Sequence, residues 1–148
     1  MSWGETMSLE SNKALVQRFI DEVMNDANMA AIADLCVAGS MFAGGVAGQV
    51  QALKTAFPDS HWTIEEIMAE DNKVVVRTTM RATNTGPIVG LPMFGRLEQP
   101  LPPTGNAVTV TGMSVYTISD GRIVSAANEM DQVGLLRQLG WTFMPPDA

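Results

Sequence analysis

Apolar and polar residues alternate with a helical period near the start of the chain. From residue 11 the apolar positions fall three and four residues apart, with charged and polar residues between them. This spacing predicts an amphipathic helix over residues 11–24 with one buried stripe. The stripe consists of Leu15, Val16, Phe19, Ile20, Val23 and Met24.

Two further helices are expected in the first half of the chain. A short one is expected over residues 29–35, with Asn28 as its N-cap. The apolar stretch 37–45 lacks a helical period and predicts a loop that lines an interior. A third helix is expected over residues 46–57 and is ended by Pro58, which cannot continue a helix.

After this proline the pattern changes to a period of two, which is typical of strands. Residues 61–69 and 73–83 are alternating or β-branched runs on either side of a Glu-Asp-Asn turn, so they predict an antiparallel pair. Residues 108–117 and 122–130 predict a hairpin, because the Asp-Gly dipeptide between them tolerates positive φ. An acidic residue, Asp131, and a short helix follow the last strand.

This order of elements predicts an α+β fold, with the helices packed on one face of a strongly bent antiparallel sheet of four or more strands. Residues 85–105 are rich in Gly and Pro and predict a long, irregular connection of the kind that is usually functional or mobile. We expect a single domain over residues 11–144, preceded by a loose tail over residues 1–10 that contains Trp3.

Composition narrows the classes of function. The 148 residues carry a net charge of −7, and the nine Lys and Arg residues are scattered, so nucleic acid is not an expected partner. No apolar stretch is long enough to span a bilayer and the first residues do not resemble a secretion signal, so we expect a cytoplasmic protein without a membrane partner. The lone cysteine, Cys36, predicts a buried, inert thiol. His61 is the only histidine and no ligand cluster surrounds it in sequence, so neither a metal nor another cofactor is expected.

Four segments together suggest a family. They are FPDSH at 57–61, TNTG at 83–86, PPTG at 102–105, and DGRIV at 120–124 running on to DQVGLL at 131–136. In this order the chain resembles the SnoaL-like polyketide cyclases of the nuclear transport factor two-like superfamily. The resemblance implies a cone-shaped barrel, in which a strongly curved antiparallel sheet wraps round the N-terminal helices and encloses a pocket. It also implies a homodimer or homotetramer assembled through the outer sheet face.

The resemblance further implies a reaction and an acidic residue. Cyclases of this family close a ring by an intramolecular aldol step with an acid-base pair, and the acidic member matches Asp131. The usual partners differ here: Asn84 stands where many relatives have a histidine, and Ser125-Ala126-Ala127 stands where they have Glu-His-Trp. A stretch over residues 93–101 also separates two motifs that are nearly fused in relatives, and it is a candidate lid.

Three residues are candidates for catalysis. Asp131 in an apolar pocket would be a base with a raised pKa, whereas on the surface it would be a solvated charge or the cap of the next helix. Alternation places Glu129 on the same face, and if that face looks inward the two carboxylates lie about 7 Å apart along the strand. His61 is either a second proton carrier or a strand-end imidazole bonded to the backbone, and Tyr116 could donate a hydrogen bond to a carbonyl or enolate oxygen.

The remaining candidates would bind a hydrophobic substrate. Asn84 could orient a ligand oxygen or a water, and the eleven methionines are either core filler or part of an adaptable apolar wall. The expected substrate-binding set is Asn84, Glu129, Met41, Phe42, Met113 and Trp62, although Trp62 also fits a packing or interface role.

Two classes of function remain. One is an enzyme without a cofactor that acts on a polycyclic or polyketide-like small molecule by cyclisation, isomerisation or, less readily, epoxide opening. The other is a binding or assembly module with the same cone fold.

Overall fold

The computed structural model describes residues 3–91 and 95–147, and the side chains from residue 8 onward within those ranges. Helix α1 (Trp3–Arg18) continues as a π-helix (Phe19–Asn25), and a 3₁₀ turn (Met29–Ala31) leads into α2 (Ile32–Leu35). The other helices are α3 (Met41–Ala56) and α4 (Gln132–Gln138). Its strands are β1 (His61–Glu70), β2 (Lys73–Thr83), β3 (Ile88–Leu91), β4 (Gly95–Leu101), β5 (Ala107–Ser119) and β6 (Arg122–Met130). The expected α+β order is confirmed.

The helices begin earlier than the sequence indicates. Helix α1 begins at Trp3, so it includes most of the segment that we expected to be a loose tail. Helix α3 begins at Met41, so part of the expected loop is helical. The Ser40 side chain caps α3, because its Oγ accepts the Ala43 N–H at 3.1 Å. Asn28 occupies the N-cap position before the 3₁₀ turn, as predicted, but its side chain makes no capping hydrogen bond.

The main sheet contains the four strands that the period-two pattern predicts. It is antiparallel in the order β1-β2-β5-β6. The sheet is not closed, so β1 and β6 are its edges and the cone is only partly a barrel. The β5–β6 turn has φ values of 49° at Asp120 and 75° at Gly121, as expected for a two-residue hairpin loop with both central residues left-handed.

The Gly- and Pro-rich connection is more regular than predicted. Strands β3 and β4 within it pair as a second, two-stranded antiparallel sheet. Ile88 and Leu91 of β3 are buried, and this apolar anchoring outweighs the local preference of the segment for irregular structure. The tip of the candidate lid, including Met93, lies outside the described residues.

The core consists of two apolar clusters on the inner face of the main sheet, which is the face that the helices cover. The N-terminal cluster joins α1, the π-helix and α2 to one half of the sheet, and it contains Val16, Phe19, Val23, Leu35, Val74, Val76, Tyr116, Ile118 and Ile123. The C-terminal cluster joins α3, α4 and β3 to the other half, and it contains Ala56, Phe57, Met80, Ala82, Ile88, Leu91, Val108, Val110, Leu135, Leu136 and Leu139. The lone cysteine, Cys36, is buried in the N-terminal cluster, as predicted.

The outer face of the main sheet is exposed, and its side chains form rows across the strands. One row is apolar and crosses all four strands; it consists of Met68, Val75, Val115 and Ala127. The next row is largely charged and consists of Glu66, Arg77, Met113 and Glu129, with Arg77 Nε 2.9 Å from Glu66 Oε2. Among the helices described, none combines the length and the apolar character needed to cross a bilayer.

Candidate functional site

A row of uncharged polar side chains crosses the inner face between β5 and β6. Ser114 and Tyr116 lie two residues apart on β5 and therefore share a face, and Tyr116 is buried in the N-terminal cluster. Asn128 of β6 is the direct antiparallel partner of Ser114, so its side chain lies on the same face. Exposure rises along the row, from buried Tyr116 through half-buried Ser114 to exposed Asn128. The row therefore runs from the core to the solvent at the β6 edge of the sheet.

Aromatic rings fix the inner end of this row. The Tyr116 ring lies 5.8 Å from the Phe19 ring and 6.3 Å from the Phe42 ring, measured between centroids. Phe19 and Phe42 also contact each other, with centroids 5.4 Å apart. Phe19 comes from the start of the π-helix and Phe42 from the start of α3, so two helices hold the phenol in place.

The phenol of Tyr116 is a hydrogen-bond donor at neutral pH. Burial raises its pKa to about 12, and a hydrogen bond with the Ser114 side chain only partly offsets this rise. Burial also raises the pKa of the Cys36 thiol to about 11, so both groups keep their protons. Tyr116 is therefore suited to donate a proton in a hydrogen bond and unsuited to act as a base.

Phe42 and Trp62 also lie on the inner side, whereas Met41 does not. Trp62 packs against both apolar clusters, which places its ring at the boundary between them. Phe42 packs against the N-terminal cluster. Met41 is 96% exposed at the first position of α3, so the expectation that it lines an apolar wall is not met.

Asp131 caps a helix. Its Oδ1 accepts the Gly134 N–H at 2.8 Å, at the N-terminus of α4, and its side chain is exposed. Gly134 makes room for this cap, because an added Cβ would collide with the carboxylate. Of the alternatives that the sequence left open, the structure therefore places Asp131 as a helix cap rather than in a dry pocket.

His61, Glu129 and Met113 lie on the outer face. His61 is exposed and pairs with Arg81 at the β1 edge, while Glu129 pairs with Met113. An open groove of about 300 Å³ lies on this face, lined by Arg77, Thr111, Gly112, Met113, Glu129, Met130 and Asp131. Glu129 faces outward, so the condition for an inward carboxylate pair with Asp131 is not met; the inward-facing residues at this end of β6 are Ala126, Asn128 and Met130. In residues 3–91 and 95–147 no three His, Cys, Asp or Glu side chains come together as metal ligands.

Asn84 is a structural hub rather than a free ligand-binding amide. It is 0% exposed, and its Nδ2 donates to the carbonyl oxygens of Ala56 and Gly86, both at 3.0 Å. Its Oδ1 accepts the backbone N–H of Thr104 at 2.8 Å and the Thr104 hydroxyl at 2.9 Å. These four bonds use the full capacity of the amide, so the expected role in orienting a substrate is not met.

Asn128 is the inward polar residue that the sequence reasoning missed. The available signal was the apolar character of its neighbours in the same phase, Ala126 and Met130, because alternating apolar residues mark the core face of a strand. A bulge in the β5–β6 ladder leaves Val124 without a register partner. Counting alternate residues from the start of β6 therefore does not tell which side chains face the core.

Comparisons with known proteins agree with this architecture. TsrD from Streptomyces laurentii has a TM-score of 0.74 and 22% identity, with 88% of this chain and 96% of its own chain covered. IdmH from Streptomyces antibioticus has a TM-score of 0.70 and 20% identity, with 88% and 99% covered. A SnoaL-like polyketide cyclase from Agrobacterium tumefaciens has a TM-score of 0.67 and 16% identity, with 87% and 98% covered. At these identities the similarity establishes the fold alone.

A comparison with curated protein sequences gives no significant match. The sequence of residues 14–139 matches the family model described as SnoaL-like polyketide cyclase, which accounts for most of the chain. The protein therefore belongs to the SnoaL-like polyketide cyclase family.

Proposed function

We propose that this protein is a cofactor-independent enzyme that binds a hydrophobic, polyketide-like small molecule against the inner face of the sheet and cyclises or isomerises it. The observation that carries the proposal is the row of Tyr116, Ser114 and Asn128, which places hydrogen-bonding groups beside aromatic walls. Ligand sites typically combine an apolar lining with a few such polar groups. Family membership supports the same class of substrate.

The chemistry of this row favours stabilisation of an enolate. Removal of a proton beside a carbonyl leaves negative charge on the oxygen, and donors aimed at that oxygen lower the barrier. The Tyr116 phenol is protonated at neutral pH, and Asn128 carries an amide N–H₂ on the same face. In a ring closure the enolate carbon then attacks a second carbonyl of the same molecule, and the new alkoxide takes up the proton that the base had removed.

Asp131 is the proposed base for the first step. It directly follows the last residue of β6, the strand that carries Asn128, and a carboxylate can accept the proton that leaves the substrate carbon. This role requires the side chain to leave its bond to Gly134 and to turn from the outer-face groove, which it lines, to the inner face when substrate binds. His61 is not part of the proposal, because it lies on the outer face at the β1 edge, across the whole sheet from β6.

The test is turnover of aromatic polyketide substrates by matched variants. Tyr116→Phe and Asn128→Leu each remove a donor from the row, and each should lower kcat about 10²-fold, as for loss of one oxyanion-stabilising group. Ser125→Ala lies on the outer side of the same strand and should leave kcat unchanged. Wild-type kcat in both Tyr116→Phe and Asn128→Leu would overturn the proposal.

A second candidate function is a binding module without catalysis. The observation that favours it is that the buried polar side chains described, Ser60, Thr78, Thr79 and Asn84, are all uncharged. A binding module would be stabilised by ligand but would return the ligand unchanged. Mass spectrometry of a single-turnover mixture separates the two, because only an enzyme produces a new compound.

We also propose that two copies pair through the outer sheet face. The apolar row of Met68, Val75, Val115 and Ala127 runs across all four strands, and three of its residues are exposed. Continuous exposed apolar surface of this kind marks an interaction site. The neighbouring row carries both Arg77 and Glu129, so a two-fold axis could set unlike charges of the two copies opposite each other. A homotetramer would require a further interface.

A further inference from the structure

Side chains from two helices hold the backbone at the start of β1. Asn25, the last residue of the π-helix, donates from Nδ2 to the Trp62 carbonyl oxygen at 3.0 Å and accepts the Trp62 N–H at Oδ1 at 2.7 Å. Lys54 of α3 donates from Nζ to the Ser60 carbonyl oxygen at 2.7 Å. The Asn25 contacts join residues that are 37 positions apart, and the Lys54 contact ties Ser60 to α3, so together they fix the segment from Ser60 to Trp62 relative to the helices.

Two polar side chains on this fixed segment have no hydrogen-bond partner within the described part of the chain. They are the hydroxyl of Ser60 and the indole Nε1 of Trp62, and both atoms are buried. Ser60 is 3% exposed and directly precedes β1, and Trp62 turns to the inner side because it pairs with buried Met80. An unpaired buried polar group costs about 1–3 kcal/mol, so such a pair calls for a partner molecule.

The position of Trp62 indicates where that partner would lie. The ring packs against both apolar clusters, and Trp62 pairs across the sheet with buried Met80. A flat apolar molecule on the inner face would contact this ring at the boundary between the clusters. The two unpaired groups would then meet the edge of that molecule.

We propose that Ser60 Oγ and Trp62 Nε1 form a subsite that binds a carbonyl oxygen of the hydrophobic ligand, and that Asn25 and Lys54 are its positioning residues. An indole N–H can only donate and a hydroxyl can donate, so the complementary group is an acceptor with two lone pairs. A carbonyl oxygen on a planar polycyclic molecule meets this requirement. The subsite rests on the proposed function, because it requires that the inner face binds a small hydrophobic molecule.

A matched pair of probes tests the subsite. 9-Fluorenone and fluorene have nearly the same shape and differ in one carbonyl oxygen, and the indole N–H signals of ¹⁵N-labelled protein report each tryptophan separately. Fluorenone should move the Trp62 Nε1–H signal downfield and bind about tenfold more tightly than fluorene, as expected for one added hydrogen bond in a buried site. Trp62→Phe assigns the signal.

Variants separate the subsite from general packing. Trp62→Phe keeps an aromatic ring and should bring the affinity ratio of the two probes close to one, and Asn25→Ala should reduce the ratio by releasing the Trp62 backbone. Trp141→Phe, at an exposed position near the C-terminus, should leave the ratio unchanged.

Two results would overturn the inference, and only one of them would also count against the proposed function. Equal binding of both probes, with signals of the inner face shifted but that of Trp62 unmoved, would leave the proposed function standing and assign the two groups to a buried water. Absence of binding by both probes would count against the subsite and the proposed inner-face site together.

Discussion

The helix cap at Asp131 constrains the chemical role that we propose for this residue. Its carboxylate closes the first turn of α4 by accepting the Gly134 N–H, and the cap holds the helix at the point where β6 ends. Any part that Asp131 plays as a base must therefore compete with this bond. The two roles respond differently to substitution, because an amide can cap a helix but cannot take a proton from carbon.

Replacing Asp131 separates the two roles. Asp131→Ala should lower the free energy of unfolding by about 1 kcal/mol, as for loss of an N-cap, and Asp131→Asn should change it little. If Asp131 is the base, both variants lose turnover. Urea unfolding and turnover measured on the same samples check this expectation, and full activity in Asp131→Asn would remove Asp131 from the mechanism.

Replacing Asn84 should lower the free energy of unfolding more than replacing Asp131 does. Asn84→Ala removes four hydrogen bonds that tie the end of α3 to the segments around Gly86 and Thr104, so the free energy of unfolding should fall by about 3 kcal/mol. The matched control is Asn28→Ala, because Asn28 is exposed and makes no capping bond. The two variants should differ clearly in chemical unfolding, and a near-wild-type Asn84→Ala would contradict the hub role.

At this scale, the types of candidate residues could be predicted from the sequence more reliably than the direction in which their side chains point. Tyr116 was correctly expected on the hairpin strand, and Cys36 was correctly expected to be buried. Whether Glu129 faces inward was left open, and the structure places it on the outer face. Alternation divides a strand into two sets of side chains, and it leaves open which set faces the core.

At the scale of elements, local signals and tertiary contacts carry different information. The strands of the main sheet and the Asp-Gly turn follow from short-range patterns, so their bounds were predictable. The β3–β4 hairpin depends on burial of Ile88 and Leu91, which no local pattern reveals in a segment rich in Gly and Pro. The early start of α3 depends on the Ser40 cap, a signal that was present in the sequence and overlooked.

Glycines on and beside α3 give opposite predictions. Gly48 lies in the helix with open space around the position of an added Cβ, so Gly48→Ala should raise the free energy of unfolding by about 0.5–1 kcal/mol. An added Cβ at Gly86 would collide with the Thr55 carbonyl oxygen, so Gly86→Ala should lower it by about 2 kcal/mol. Thermal and urea unfolding of the pair provide the measurement, and a shift of the same sign in both variants would contradict the packing described for α3.

At the scale of the whole molecule, the proposed dimer depends on the outer face of the sheet. Val115 stands in the middle of the apolar row, between Val75 and Ala127. A charge there would be buried without a partner in a dimer, which is costly, but would be solvated in a monomer.

Val115→Glu should therefore convert a dimer into a monomer. Sedimentation velocity over a range of concentrations checks this, with Met144→Glu as the control, because Met144 is exposed and far from the row in sequence. A Val115→Glu protein that sediments as the wild type does, at every concentration, would argue against assembly through this face.

The way that β2 and β5 run through both apolar clusters has a consequence for dynamics. On β2, Val74 and Val76 belong to the N-terminal cluster while Met80 and Ala82 belong to the C-terminal cluster, and β5 is shared in the same way. Neither half can lose its packing without loosening strands that the other half needs. Amide protons in the centre of both strands should therefore exchange with solvent deuterium at similar slow rates, through one global opening. If the protein binds a ligand on the inner face, we expect helices to be displaced when the ligand enters while the sheet stays rigid.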